Sequence, residues 1–528
     1  MKNIISLLLM MVISISVSAQ DASFYQKYAE KGDKEAMYNL ALCYLNGNGG
    51  VKQDYSEATI WLSKAAKKKY APAQHRLAIC YILGLGVLKD YTQAYKLCEK
   101  AIEQDFAPAL YTMSQMYRDG YYVEKNTNTQ LTWLLKAADM GHDKAQAELG
   151  RAYLYGSQDP LIEKDFTKAF EILTKSASQE NAEGQYLLGI CYEYGTGVEV
   201  DIDKAIQYYY LSAQGRYSEG MTELAYAYMI GKGVERNFNE ALKYLNEAAE
   251  ENSIKAYFLL GEIYNYGLGV TINKETAAEW YKKAVDEGYA DAYTKLADFY
   301  ITGTGVSENK EKGFKLYKEL ADAGYDSGQS GVGLCYENGY GTTKNLSNAV
   351  EYYKKAAEQG NNYAQYRLYK ILRDGNEGVV KDVDSAILFL KQAAENNYND
   401  ALYHLGIEYY FGELLPKDNT LALKFFQCGY DNGDVYSSAM LGVQYYTGGD
   451  LVEKDYTLAF KYLSYAADNS EYIYNDKVLA NVFKNLGACY RFGRGTEVNQ
   501  SLASYYTELA AQYGDKGSME AVKSLRKE

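Results

Sequence analysis

The chain has 528 residues, more than one hydrophobic core normally organises, so it forms either several domains or one repetitive array. Tyr occurs 58 times and Pro only 4 times, and runs of alternating β-branched residues are missing, which disfavours a sheet protein. The formal charge of −14 argues against nucleic acid and anionic membrane as partners, because both attract clustered Lys and Arg.

The first nineteen residues have the pattern of a cleaved export signal. Lys2 precedes an apolar stretch from Ile4 to Val17, and the small residues Ser18 and Ala19 precede Gln20. The stretch is shorter than the ~20 apolar residues of a membrane span, and no later segment approaches that length. We therefore expect residues 1–19 to be removed and the mature chain to be periplasmic or secreted, in a bacterium, without membrane insertion.

Residues 20–528 repeat with a period of roughly 36 residues, which predicts a single solenoid of about thirteen helix–turn–helix units. Because one helix pair cannot bury both of its apolar faces, the expected fold class is an all-α, α/α superhelical solenoid. A partial second helix, Phe24 to Lys31, precedes the first copy as a candidate cap. Counting each copy from a small residue at position 1, the copies start near Ala36, Ala73, Ala109, Ala145, Gly184, Gly220, Ala256, Ala292, Gly328, Ala364, Ala401, Ser437 and Val482.

Each copy predicts a helix A and a helix B. Positions 1, 5, 8 and 9 share one helical face, as in Ala256, Leu260, Ile263 and Tyr264. Helix A ends at a Gly in position 12, the residue that enters the left-handed region without strain. Position 6 is often Gly as well, which costs ~1 kcal/mol within a helix and therefore indicates close approach of a neighbouring helix. Asn or Asp near position 18 provides an N-cap for helix B.

The seven Cys residues indicate buried thiols. Five of them, Cys43, Cys80, Cys191, Cys335 and Cys489, occupy position 8 of helix A. Stacked helices lie ~8–10 Å apart, whereas a disulfide requires Cα atoms within ~7 Å, so equivalent positions should not be bridged. Cys80 and Cys98, on the two helices of one copy, are the one pair that remains to be tested.

The pattern L-G-x-x-Y-x-x-G-x-G-V-x-x-D-x-x-K-A-x-x-Y-x-K-A-A resembles the Sel-one-like repeat family, relatives of tetratricopeptide repeats. Gly189 to Ala213 and Gly261 to Ala284 match it closely, and the similarity covers nearly the whole mature chain. The resemblance implies an α/α superhelix that serves as an adaptor in protein complexes, in bacteria often in the envelope. An extracellular branch of the family, with some members linked to β-lactam binding, carries paired Cys seven residues apart, and this sequence lacks that pairing.

Motifs for chemistry are weak. The G-x-G loops, such as Gly195-Gly197, are flanked by helices on both sides, unlike a phosphate-binding strand–turn–helix. His75, His142 and His404 lie in different repeats and show no metal-ligand spacing. An S-x-x-K match at Ser307 to Lys310 lacks the accompanying S-D-N and K-T-G motifs. The sequence therefore predicts no catalytic residue, no cofactor and no metal.

Binding is predicted on the side of helix A that faces away from the core. Position 3 points there and is aromatic in six copies, and such rings offer a large rigid contact area to a protein, peptide or glycan. Packing of these rings between adjacent A helices is the alternative interpretation. The candidate partner-binding residues are Tyr38, Tyr111, Tyr186, Phe258, Tyr366 and Tyr403.

Two insertions interrupt the period. The fourth copy adds three residues around Ser157 to Pro160, and a polar, aromatic segment from Asn469 to Asp476 separates the last two copies by 45 residues. That segment is either a contact loop or a tolerated bulge.

The function expected is that of an exported, non-enzymatic scaffold for a protein or peptide. The alternatives are a receptor for carbohydrate or peptidoglycan fragments and, by family association alone, a β-lactam-processing enzyme.

Overall fold

A computed structural model describes residues 21–158, 161–376, 378–449 and 451–525. The predicted signal segment, residues 1–19, lies outside these ranges. Within them the chain forms 28 α-helices, in two compact bodies that divide after Ile272. The prediction of one continuous solenoid over residues 20–528 is not tested by this division and stays a prediction.

The first body contains the cap helix and the repeats up to helix A of the seventh copy. Apart from the last helix of the chain, which follows the thirteenth repeat, even-numbered helices are helix A of successive repeats, and the odd-numbered helices from α3 onward are helix B. The elements are α1 (Ala22–Ala29), α2 (Lys34–Asn46), α3 (Tyr55–Lys67), α4 (Ala71–Leu83), α5 (Tyr91–Ile102), α6 (Ala107–Asp119), α7 (Thr127–Asp139), α8 (Asp143–Tyr155), β1 (Ser157–Gln158), β2 (Leu161–Ile162), α9 (Phe166–Ser178), α10 (Ala182–Tyr194), α11 (Ile202–Gln214), α12 (Ser218–Ile230), α13 (Phe238–Glu250) and α14 (Ile254–Tyr266).

The second body continues the same alternation to the last described residues. Its helices are α15 (Lys274–Asp286), α16 (Ala290–Thr302), α17 (Lys310–Asp322), α18 (Asp326–Asn338), α19 (Leu346–Glu358), α20 (Asn362–Asp374), α21 (Val383–Glu395), α22 (Asn399–Phe411), α23 (Asn419–Asp431), α24 (Val435–Thr447), α25 (Tyr456–Asp468), α26 (Asp476–Phe492), α27 (Gln500–Gln512) and α28 (Lys516–Leu525). A short 3₁₀ helix, Ser470–Tyr472, precedes α26.

Small residues let helix B nest against helix A, as the repeat pattern predicts. A Cβ atom added to Gly189 would lie 2.6 Å from the Tyr209 ring, and one added to Gly333 would lie 2.7 Å from the Tyr353 ring. Both rings belong to helix B of the same repeat and are almost fully buried. The glycine at position 6 is therefore explained by close approach of an aromatic side chain, which offsets its low helix propensity.

The closing glycine of helix A takes two conformations, and the choice decides the shape of the loop. Gly195 has φ 69° and ψ 33°, the left-handed geometry expected at a helix C-terminus. Gly156, in the repeat with the first insertion, has φ 78° but ψ 159°. The chain therefore leaves α8 in a different direction and forms a hairpin in which Ser157 pairs with Ile162 and Gln158 with Leu161. Asp159 and Pro160 lie outside the described residues.

The second insertion is anchored at one residue. Ile473 is buried against the apolar residues of α24 to α26, whereas Tyr472 and Tyr474 on either side of it are exposed. The backbone N–H of Tyr474 donates to the hydroxyl of Tyr436 at 2.8 Å. The segment is thus a loop anchored at Ile473 that exposes the Tyr472 and Tyr474 rings.

The cysteines are free thiols, and six of the seven are buried. Burial raises the pKa of Cys80, Cys98 and Cys335 to about 12, so these groups stay protonated and unreactive at neutral pH. Only Cys428 is partly accessible. We expect at most one thiol to react rapidly with Ellman's reagent in the native protein, and all seven after denaturation, followed by absorbance.

Replacing Cys428 with Ser should remove the rapid native phase in that assay. Rapid labelling of two or more thiols in the native protein would contradict the burial of the position-8 cysteines. A count of five thiols in the denatured, unreduced protein would instead show that one pair, such as Cys80 with Cys98, had become a disulfide.

Candidate interaction surface

The aromatic residues at position 3 pack between repeats. Tyr111 and Tyr366 are buried, and the other four candidates, Tyr38, Tyr186, Phe258 and Tyr403, are half-buried. Their contacts with rings at the start of the next helix A include those with centroid distances of 5.6 Å (Tyr38–Tyr70), 4.6 Å (Tyr111–His142), 5.5 Å (Tyr186–Tyr217), 5.6 Å (Tyr366–Tyr398) and 5.5 Å (Tyr403–Tyr436). These rings join neighbouring repeats, and their role in partner binding stays a prediction.

Position 11, the last residue of helix A, presents exposed apolar side chains instead. In four consecutive repeats these are Tyr155, Tyr194, Ile230 and Tyr266, which are 52%, 66%, 51% and 55% exposed. We call these four residues the apolar column. Tyr226, one helical turn before Ile230, is 39% exposed and extends the same face. Exposed large apolar residues that recur on one side of a protein are typical of a binding surface.

The apolar column was not predicted from the sequence. The repeat sequence does contain a signal for it, because a tyrosine directly precedes the closing glycine in Tyr155-Gly156, Tyr194-Gly195 and Tyr266-Gly267. Helical periodicity places position 3 nearer than position 11 to the centre of the outer face of helix A. Periodicity takes no account of the next repeat, whose first residues cover position 3.

Ion pairs between repeats surround the column. The Lys232 ammonium lies 2.6 Å from the Glu193 carboxylate, and the Lys255 ammonium lies 2.7 Å from the Glu223 carboxylate. The same two lysines lie 5.9 Å from the centroid of the Tyr194 ring and 5.2 Å from that of Tyr226, within the range of a cation–π contact. The surface therefore combines apolar rings with fixed charges of both signs.

The phenols of Tyr155 and Tyr194 remain neutral donors at physiological pH. The carboxylate of Glu193, followed by desolvation and Glu223, raises the pKa of Tyr194 above its usual range. Desolvation raises the pKa of Tyr155, and the nearby Arg151 guanidinium offsets part of that effect. Each ring thus offers an apolar face and a hydroxyl that can donate a hydrogen bond.

A cleft of about 890 Å³ opens beside the first residue of the column. In most repeats the second glycine of the loop lies against the start of the preceding helix B, and a Cβ atom on Gly197 would come within 2.2 Å of the Phe166 carbonyl oxygen. The hairpin of the fourth repeat does not provide this contact, so the first turn of α7 borders open space. The lining residues are Arg118, Lys125, Asn126, Thr127, Asn128, Gln130, Leu134, Glu148, Arg151, Ala152, Tyr155, Gly156, Ser157 and Ile162.

The candidate motifs for catalysis and metal binding are not brought together. Ser307 is exposed, and the Lys310 ammonium is paired with Glu308 at 3.1 Å, so it does not activate that serine. No group of three or more His, Cys, Asp or Glu suited to a metal ion is found in the described ranges. Across the same ranges, none of the helices combines the length and the apolar character required to cross a bilayer.

Comparison with known proteins identifies the repeat. The model of the Sel1 repeat matches thirteen segments, at residues 34–70, 71–106, 107–142, 143–181, 182–217, 218–253, 254–289, 290–325, 327–361, 362–398, 399–434, 435–471 and 484–515. These segments coincide with the helix pairs described above. The tandem A and B helices define an α/α solenoid of the tetratricopeptide-like class.

Similar proteins come from bacteria and fungi. A solved structure of a protective antigen present in uropathogenic Escherichia coli strains, displaying an SLR fold, is 27% identical with a TM-score of 0.58, over 93% of this chain and 96% of that one. Chitin synthase regulatory factor 3 of Schizosaccharomyces pombe is 28% identical over 33% of this chain and 19% of its own length. Chitin synthase regulator SKT5 of Saccharomyces cerevisiae is 30% identical over 34% of this chain and 27% of its own length.

The chain belongs to the Sel1 repeat family, since the family model matches most of its length. The matches to the two curated fungal relatives span less than a third of those proteins. Sel1 repeat proteins are generally scaffolds for protein interactions.

Proposed function

We propose that this protein is an exported, non-enzymatic scaffold that holds a protein or peptide on the helix A face of repeats four to seven. The observation that carries the proposal is the apolar column, because four consecutive repeats expose a large apolar side chain at position 11. Burying such a side chain in a complex contributes about 1.5–3 kcal/mol before the costs of association. Tyrosine is also enriched among the residues that dominate binding energies.

The ion pairs beside the apolar column favour a polypeptide over a sugar as the partner. The Lys232–Glu193 and Lys255–Glu223 pairs surround the rings with groups of both signs, which suits the mixed charges of a protein surface. The names of the similar fungal proteins describe regulators, and that of the Escherichia coli protein describes a protective antigen.

Site-specific photocrosslinking tests this surface. A photoreactive phenylalanine analogue at Tyr194 should yield one dominant crosslinked protein or peptide in the source cells, because this ring is the most exposed of the column. The same analogue at Tyr210, an exposed tyrosine on helix B of the same repeat, is the matched control and should yield none.

The variant Tyr194→Ser combined with Tyr226→Ser should reduce capture of that partner by at least about tenfold, while circular dichroism stays unchanged. Equal crosslinking from Tyr194 and Tyr210, or capture that survives the double substitution, would contradict the proposed surface. Crosslinks only to glycan fragments would favour the carbohydrate receptor instead.

A further inference from the structure

We propose that the cleft beside Tyr155 binds a carboxylate group carried by a peptide segment of the partner. This inference rests on the proposed scaffold function and adds to it a second contact of defined chemistry. The cleft measures about 890 Å³, which is within the ~300–1,000 Å³ typical of ligand sites and much larger than a single ion requires. It therefore suits several residues of a polypeptide.

Two side chains of the cleft have donors without partners. The Lys125 ammonium forms no ion pair within the described ranges. Gln130 is only 6% exposed, lines the cleft, and its side-chain amide has no hydrogen bond to any described residue. The largely buried Gln130 side chain thus presents an amide N–H to the cleft that a ligand oxygen can accept.

Two arginines are held in place at the rim. The Arg151 guanidinium lies 2.7 Å from the Glu183 carboxylate and donates to the Tyr217 hydroxyl at 2.8 Å. Arg118 bonds Asp119 at 3.0 Å and approaches Glu148 at 3.7 Å. These pairs neutralise the arginines but fix their remaining N–H groups. Among the charged residues of the lining, the Lys125 ammonium is therefore the one left without an ion pair in the described ranges, and its complement is an acceptor with negative charge.

The cleft is continuous with the proposed interaction surface. Tyr155 belongs both to the apolar column and to the lining, and Arg151 lies one helical turn before it on α8. A peptide that contacts the Tyr155 ring can thus place a neighbouring carboxylate against Lys125 and Gln130. This continuity favours a segment of the same partner over an unrelated small anion.

The equivalent place in the second repeat shows what closes such a cleft. There Lys89 covers Gly84 as Lys125 covers Gly120, with a Cγ atom 3.0 Å from a Cβ placed on each glycine. The start of α5 behind Lys89 is covered by the loop of the third repeat, where the Tyr91 and Tyr121 rings stack at 4.8 Å. Lys89 is therefore a matched control that has the same local backbone but a ring over the helix start.

Calorimetric titration of the full mature chain with defined peptides tests the proposal. The probe is the blocked peptide acetyl-Gly-Ser-Glu-Asp-Glu-Gly-amide, compared with acetyl-Gly-Ser-Gln-Asn-Gln-Gly carrying either a free or an amidated carboxyl terminus. We expect binding of the acidic peptide if the carboxylate comes from side chains, and of the neutral peptide with a free terminus if it comes from a chain end. The neutral peptide with an amidated terminus has no carboxylate group and should not bind.

The substitution Lys125→Gln should weaken binding by about tenfold and Gln130→Met by about fivefold, whereas Lys89→Gln should leave it unchanged. The proposal would be overturned if neither carboxylate peptide bound, or if Lys89→Gln weakened binding as much as Lys125→Gln. Crosslinking at Tyr194 would be unaffected by such a failure, so the cleft and the scaffold surface can fail independently.

Discussion

Replacing Gly305 with alanine is expected to lower the stability of the second body by roughly 3 kcal/mol. Gly305 has φ +65°, and a Cβ atom there would lie 2.1 Å from the carbonyl oxygen of Lys274 at the start of the preceding helix B. The substitution therefore adds backbone strain to a steric clash that only a shift between two repeats can relieve. Urea unfolding of the full chain, followed by circular dichroism, measures the effect.

Gly288→Ala is the matched control for this experiment. Gly288 has φ +83°, yet a Cβ atom there would meet nothing within 4 Å. Gly288→Ala should lower the free energy of unfolding only by the strain of the left-handed conformation, about 1 kcal/mol. Equal destabilisation by the two substitutions would show that contact with the preceding repeat contributes nothing at Gly305.

Lowering the pH from 7 to 5 is expected to destabilise the protein by roughly 2 kcal/mol for each histidine. Burial is the main cause that lowers the pKa of His75 to about 3 and those of His142 and His404 to about 4, with nearby cations such as Arg76, Lys144 and Lys370 adding to the effect. Unfolded histidine takes up a proton near pH 6.5, whereas the folded residues do not. Their contribution is therefore complete above pH 6.5 and is lost progressively as the pH falls to about 4.

His142→Asn isolates this effect. His142 Nδ1 accepts a hydrogen bond from the N–H of Ala145 at the start of α8, and Asn181 and Asn361 make the same cap at 2.8 Å in other repeats. Asparagine thus keeps the cap without titrating. Relative to the wild type, the variant should gain roughly 2 kcal/mol between pH 7 and pH 5 in urea unfolding.

The comparison between variants is needed because some carboxyl groups act in the opposite direction. Burial raises the pKa of Asp298, Asp400 and Asp434. These groups bind a proton more readily in the folded chain, so they favour folding as the pH falls towards their range. If the difference in free energy of unfolding between the wild type and His142→Asn were the same at pH 7 and pH 5, the histidine interpretation would be contradicted.

The local structure could be predicted almost completely from the sequence. The A helix of the seventh repeat, the glycine that ends it and the Asn273 cap of the next helix follow from periodicity and residue chemistry, which act over a few residues. The close approach at position 6 was also predictable, because a glycine that costs helix stability requires a packing reason. Its partner, the ring at Tyr209 or Tyr353, was not named.

The candidate site was harder to predict because it depends on contacts between repeats. Position 3 and position 11 both lie outside the core face of helix A, and the sequence does not say which of them the next repeat covers. Tyr111 is covered by His142, whereas Tyr194 is not covered by any equivalent ring in the described structure. The insertion near Ser157 was visible in the sequence, but its consequence, a cleft over the start of α7, was not.

The sequence by itself determined the helices, their ends and the family, because hydrophobic period, capping and glycine placement are properties of short segments. Only the tertiary structure decided which rings join repeats and which remain exposed, and where a displaced loop leaves a cleft. The physical reason is that exposure is a property of neighbours: a side chain's environment is set by the adjacent repeat, which lies roughly 36 residues away in the chain and is invisible to any local pattern.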